Sequence, residues 1–63
     1  MKQFVERMIR EKKDLNGKIK KAKIAIENRP FDMDDKGFAL LVKQVEVMES
    51  YEKILEKRIK HSE

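Results

Sequence analysis

Cysteine and tryptophan are absent from this 63-residue sequence, and proline, glycine and histidine are scarce. Without cysteine no disulfide can staple a small core, and a lone histidine near the end cannot build a structural zinc site. One proline and two glycines leave room for a single break in a regular chain, and too little glycine for a phosphate loop. No apolar run approaches the ~20 residues that cross a bilayer, and the start lacks a signal-peptide core. A chain of this kind is expected to be soluble and cytoplasmic. Serines are isolated, and no cluster of acid, base and nucleophile stands out. We therefore expect no enzyme, no metal site and no cofactor.

What the sequence has is charge and period. Charged residues make up 44% of the chain and hydrophobic ones 40%, the mix of long amphipathic helices. Sixteen Lys/Arg outnumber twelve Asp/Glu, a net charge of +4 that favours anionic partners without choosing among them. Chains shorter than roughly 70–80 residues rarely draw more than about 3–5 kcal/mol from one core. Association is the usual remedy.

Stepping three and four residues from Val5 gives Val5, Met8, Lys12, Leu15, Ile19, Ala22 and Ile26, one face of a helix. A second seam runs through Phe38, Leu41, Val45, Met48, Glu52, Leu55 and Ile59. Between them ENRPFDMDDKG interrupts. Pro30 biases Arg29 away from helical angles, so the first helix should cover about residues 2–28 and the turn 29–34. Asp34 is the expected N-cap of a second helix over about 35–60, with Asp35 in its first turn. Met33 and Phe38 have the spacing of a hydrophobic staple. A connection this short makes the helices antiparallel neighbours. The fold class is all-α: one antiparallel two-helix hairpin, a single domain over 1–63, assembling into a homo-oligomeric helical bundle.

Folding the seams together sets Lys12, the basic intruder in one, against Glu52, the acidic intruder in the other. A buried pair of this kind adds little stability but penalises slipped registers, because a stranded charge is costly. Beside its seam, the second helix carries another stripe of Leu40, Gln44, Val47, Tyr51, Ile54 and Arg58. The two stripes make a face too wide for one partner helix. A homodimer or homotetramer is expected, with Leu40, Val47 and Ile54 inside the interface.

The polar members of that stripe, Gln44, Tyr51 and Arg58, recur every seven residues. An amide, a phenol and a guanidinium can read a base edge, stack on a ring and hold a phosphate. On composition alone, the plainer reading of these three is the polar rim of an oligomer interface. Arg7 and Glu11, one turn apart near the same end, could join them or form a solvated ion pair worth ~0.3 kcal/mol. The run DMDD lacks calcium-loop spacing and reads as a helix cap. The cluster KIKKAKIAIENR could attract nucleic acid but lacks interleaved aromatics and helix-turn-helix punctuation. Nucleic acid is the weaker partner.

FVERMIREKKDL, the phenylalanine of RPF, and LLVKQVEVMESYEKILEKRI together resemble a family of small phage helical-hairpin proteins. These are related to a crAss-like phage product, and the resemblance covers nearly the whole chain. Gly17 and Gly37 depart from the helix formers usual in that pattern. The resemblance implies an anti-CBASS sponge that sequesters a cyclic oligonucleotide, such as a cyclic dinucleotide, between subunits in the host cytoplasm. The positions that match the pattern, and so its implied ligand contacts, are Arg7, Glu11, Phe31, Gln44, Tyr51 and Arg58. A structural or adaptor oligomer without a small ligand remains the rival expectation.

Overall fold

In the computed structural model, which describes residues 2–62, two helices fold back on each other. Helix α1 spans Gln3–Glu27 and helix α2 spans Asp35–Ser62. The hairpin is a rod with extents of 46 × 14 × 13 Å. No helix among the described residues is long and apolar enough to cross a membrane.

Local chemistry sets the helix ends. The Asn28 amide N–H and its side-chain Nδ2 both donate to the Ile24 carbonyl, which closes α1 just before Pro30. The Met33 N–H then donates to the Pro30 carbonyl at 3.0 Å, forming the turn. Asp34 caps α2: its Oδ1 accepts from the Gly37 N–H at 2.8 Å, the third helical N–H. Arg29 binds the two sides of the turn together. Its guanidinium donates to the Met33 carbonyl and to Asp35 Oδ1, and lies 5.0 Å from the centre of the Phe38 ring. This tie is written in no simple spacing rule.

The helices meet along the two seams. Val5, Met8, Leu15 and Ile19 of α1 form one cluster with Leu55 of α2, and Met48 and Ile59 pack against it. Leu55 is fully buried, and burying a side chain of this size contributes about 1.5–3 kcal/mol. Ala22, Ile26, Phe38 and Leu41, nearer the turn, are only half-buried.

Lys12 and Glu52 do not pair. The Lys12 ammonium lies 3.3 Å from Glu56, one turn beyond the expected partner, and Glu52 instead accepts from Asn16 Nδ2 at 2.9 Å. The reason is the length and hydration of lysine. Its stem covers the apolar seam while its charged end reaches out to water, leaving 37% of the side chain exposed. No charged residue is buried among the described residues, so the expected desolvation cost does not arise. Register is marked by two polar links on one flank, Lys12–Glu56 and Asn16–Glu52, and by Lys23–Glu49 at 3.0 Å nearer the turn.

Candidate functional site

Tyr51 and Arg58 lie on one side of Leu55 around α2, and Glu52 and Glu56 lie on the other. The seam buries Leu55 against α1 and thereby presents Tyr51 to the edge of the hairpin, 38% exposed. From α1, Glu11 arrives at the same edge. The Tyr51 hydroxyl donates to Glu11 Oε1 across the two helices. This bond holds the phenol protonated and raises its pKa above the ordinary value; loss of water contact and the Glu11 charge push the same way, and the Arg58 charge opposes them. Tyr51, Glu11 and Arg58 are therefore one electrostatic group.

Arg58 also lines a shallow cleft of about 270 Å³ with Ile54, Lys57, His61 and Ser62. Its lining is mostly apolar, from Ile54 and the aliphatic stems of Lys57 and Arg58, which suits a flat aromatic group with the cations near its edge. Seam and stripe spacing bring none of Lys57, His61 and Ser62 into a site, and put His61 at a frayed end. In the structure α2 continues to Ser62 and holds His61 on the helix. The concentration of Lys57, Arg58, Lys60 and His61 at a helix C-terminus is the signal that could have found the cleft.

The other matched positions are spread along the rod. Arg7 is exposed on α1, one turn before Glu11 and near the same edge. Gln44 is exposed on α2, two turns before Tyr51, or about 10 Å along the axis at 1.5 Å per residue. Phe31 sits in the turn, fully exposed. The helical stretch from Asp35 to Tyr51 alone separates the turn from the phenol by about 24 Å. A single chain thus gathers Glu11, Tyr51 and Arg58, leaves Arg7 and Gln44 at the margins, and keeps Phe31 at the far end.

A larger groove of about 330 Å³ opens on the other flank, lined by Ile9, Lys12, Lys13, Asn16, Glu52 and Glu56. Its amide and carboxylate groups are engaged with each other or with Lys12, and it offers no aromatic ring for a base to stack on. The lysines of the basic cluster, Lys18, Lys20, Lys21 and Lys23, are exposed along α1, and Lys23 is tied to Glu49.

Searches of curated proteins and of solved structures each gave no match. A family model described as Sequestin matches residues 2–61, which includes α1, the turn, α2 up to His61 and every residue of the Glu11–Tyr51–Arg58 group. Matched over nearly its whole length, the chain belongs to the Sequestin family.

Proposed function

We propose that this protein is a sponge: it binds a cyclic oligonucleotide, foremost a cyclic dinucleotide, and keeps it from its receptor. The family name denotes sequestration, and the ligand class is our reading of the site's chemistry together with the resemblance to anti-CBASS phage proteins. The observation that carries it is the grouping of Glu11, Tyr51 and Arg58 at one exposed edge. The Tyr51 ring offers a stacking surface for a base. Arg58 and Lys57 supply charge for a phosphate, with Arg7 at the margin. Glu11 has acceptor capacity left after taking the Tyr51 proton donor, enough to receive N–H groups of a base edge. Gln44 offers both donor and acceptor to a second base.

A sponge needs affinity and abundance, and no chemical step. We read the protein as a non-enzyme of phage origin, acting in the host cytoplasm. Copies associate through the exposed α2 stripe of Leu40, Val47 and Ile54, so that ligand sites fall between subunits. A two-fold interface presents equivalent residues to both halves of a symmetric ligand. The exposed stripe would equally serve a structural oligomer without a ligand, and one experiment separates the two. A thermal-shift screen against cyclic di- and trinucleotides should raise the melting temperature with at least one of them, because binding to the folded state stabilises it. If none does, the structural oligomer is the better reading; if only duplex DNA does, the basic face of α1 is the site.

A further inference from the structure

Phe31 is an aromatic ring held wholly in water at the tip of the turn, its exposure 107% of the reference value. At the other end of α2 lies the cleft of Ile54, Lys57, Arg58, His61 and Ser62. Val47 stands midway between them. It is twelve residues from the first residue of α2 and eleven from Arg58, or about 18 and 17 Å along the helix. Leu40 and Ile54 are each seven residues from Val47, on the same exposed stripe.

We propose that a second copy of the chain docks antiparallel on α2 with a two-fold axis at Val47, and that each Phe31 seats in the other subunit's Ile54–Ser62 cleft. The inference rests on the reading that copies associate through α2 and fixes how they do so. In this register Leu40 meets Ile54 of the partner subunit and Val47 meets its own counterpart, so the apolar stripe is self-complementary. Charge decides between the two orientations. The turn carries Asp32, Asp34 and Asp35 against Arg29 and Lys36, a net negative charge, and the end of α2 carries Lys57, Arg58 and Lys60 against Glu56, a net positive one. Antiparallel docking sets acids against bases, and sets the positive N-terminus of one α2 dipole beside the negative C-terminus of the other. Parallel docking would gather the acids at one end and the bases at the other. The phenyl ring then enters the cleft from its Ser62 end and packs on the aliphatic stems of Lys57 and Arg58, whose charged ends stay at the rim. With Leu40, Val47 and Ile54 each more than half exposed and Phe31 fully so, two such faces bury on the order of 1,000 Å² and leave Tyr51 at the rim. That falls just below the roughly 1,200–2,000 Å² of stable specific interfaces and fits a dimer that exchanges with monomer on dilution. On the same rim the two-fold brings Gln44 beside Tyr51 of the partner subunit, which completes the ligand edge from both chains.

The absence of cysteine and tryptophan makes the test direct. Val47→Cys should form an intermolecular disulfide under mild oxidation, and Leu40→Cys should crosslink to Ile54→Cys while neither crosslinks alone. Phe31→Trp should emit as a solvent-exposed indole when the protein is dilute and shift to shorter wavelength as dimers form. That shift should vanish when Arg58→Ala and Lys57→Ala are added. Crosslinks of Leu40→Cys with itself would overturn the antiparallel register. Val47→Cys dimers in which the Phe31→Trp indole still emits as solvent-exposed would overturn the Phe31 seat. An emission shift seen only with a cyclic dinucleotide would also overturn it, placing Phe31 on the ligand. Calorimetric titration of the wild type with cyclic dinucleotides keeps the two readings apart. Heat without the crosslinks would reject this register alone, and crosslinks without heat would reject the sponge alone.

Discussion

The Tyr51 hydroxyl donates to the Glu11 carboxylate, joining α2 to α1 at the edge of the hairpin opposite the Lys12–Glu56 ion pair. The two flanks of the seam are therefore unlike. One consists of charged and amide groups that satisfy one another in a solvated groove. The other combines a phenol, a carboxylate and the cations around Arg58 on a partly apolar surface. Of the two, the second adds an aromatic ring, and so stacking area, to its charge and acceptor groups.

Tyr51 is the chain's single tyrosine, so its ionisation can be followed by ultraviolet absorbance. The Glu11 bond raises its folded pKa above the unfolded value of about 10. The folded chain keeps the phenolic proton where the unfolded chain has lost it. Its contribution to stability is complete below that value and is lost as pH rises through the folded one. Absorbance titration should place the wild-type midpoint above the ordinary tyrosine value, with Glu11→Ala moving it down. Denaturation at about pH 8 and about pH 11, on either side of the unfolded value, should show a smaller loss for Tyr51→Phe than for wild type. Identical losses in the two proteins would mean that the bond does not form in solution.

On the other flank, the energetic couplings should follow the observed partners. Glu52→Ala leaves the part-buried Asn16 amide without its acceptor and should cost about 1 kcal/mol. Lys12 and Glu56 are exposed enough that their coupling should lie within about 0.2–1 kcal/mol. Lys12→Met and Glu52→Leu should then be additive within error in a double-mutant cycle. A coupling above about 1 kcal/mol between those two would restore the pairing that opposed seams suggest.

How far the sequence could be read depended on how local each feature is. The helices, the break at Pro30 and the Asp34 cap follow from spacing and backbone chemistry within a few residues, and the two-helix hairpin follows from them. The partner of Lys12 did not follow. Matching residues across a hairpin treats side chains as short and opposite, whereas a lysine spans a full turn. Grouping Tyr51 with Arg58 was legible from their seven-residue spacing. The bond to Glu11 was not, because it depends on how α1 is rotated about its own axis. The cleft around Arg58 escapes a reading by spacing because it needs His61 and Ser62 to stay on the helix.

The two glycines should respond in opposite ways to one added methyl group. A Cβ at Gly17 would meet no atom within 4 Å, so Gly17→Ala should stabilise the hairpin by about 1 kcal/mol through helix propensity. A Cβ at Gly37 would stand 2.9 Å from Asp34 Oδ1, the oxygen that caps α2. Gly37→Ala should push that oxygen away and lose the cap, worth ~1 kcal/mol, which offsets the propensity gain. Thermal denaturation should rank Gly17→Ala above wild type and Gly37→Ala at or below it. The reverse order would contradict the capping geometry.

Association through α2 predicts a sharp response to charge on the stripe. Leu40 is 61% and Ile54 53% exposed in a single chain, so a glutamate at either position has nothing to disrupt within the hairpin core. Sedimentation at micromolar concentration should find a dimer or larger species for wild type and a monomer for Leu40→Glu or Ile54→Glu. The variants should also melt earlier, since the small core loses the stabilisation that association supplies. A wild-type monomer that is well folded would show that the hairpin needs no second copy.

Capture of a cyclic dinucleotide should divide the exposed residues into two groups. Tyr51→Ala removes a stacking surface worth ~1–3 kcal/mol per base in single-strand binding sites, a loss of roughly 5- to 150-fold in affinity. Arg58→Ala removes a charge-assisted phosphate contact of about 1.5–3 kcal/mol. Tyr51→Phe keeps the ring but frees Glu11 and should lose less than Tyr51→Ala. Lys20→Ala and Lys23→Ala, on exposed positions of α1, should change affinity little at physiological salt because such charges are screened. Calorimetric titration measures all five, with sedimentation to confirm that each variant keeps its oligomeric state. Loss confined to the lysine variants would move the site to the basic face of α1. Equal loss for Tyr51→Phe and Tyr51→Ala would make the hydroxyl, and with it the link to Glu11, the element that holds the ligand.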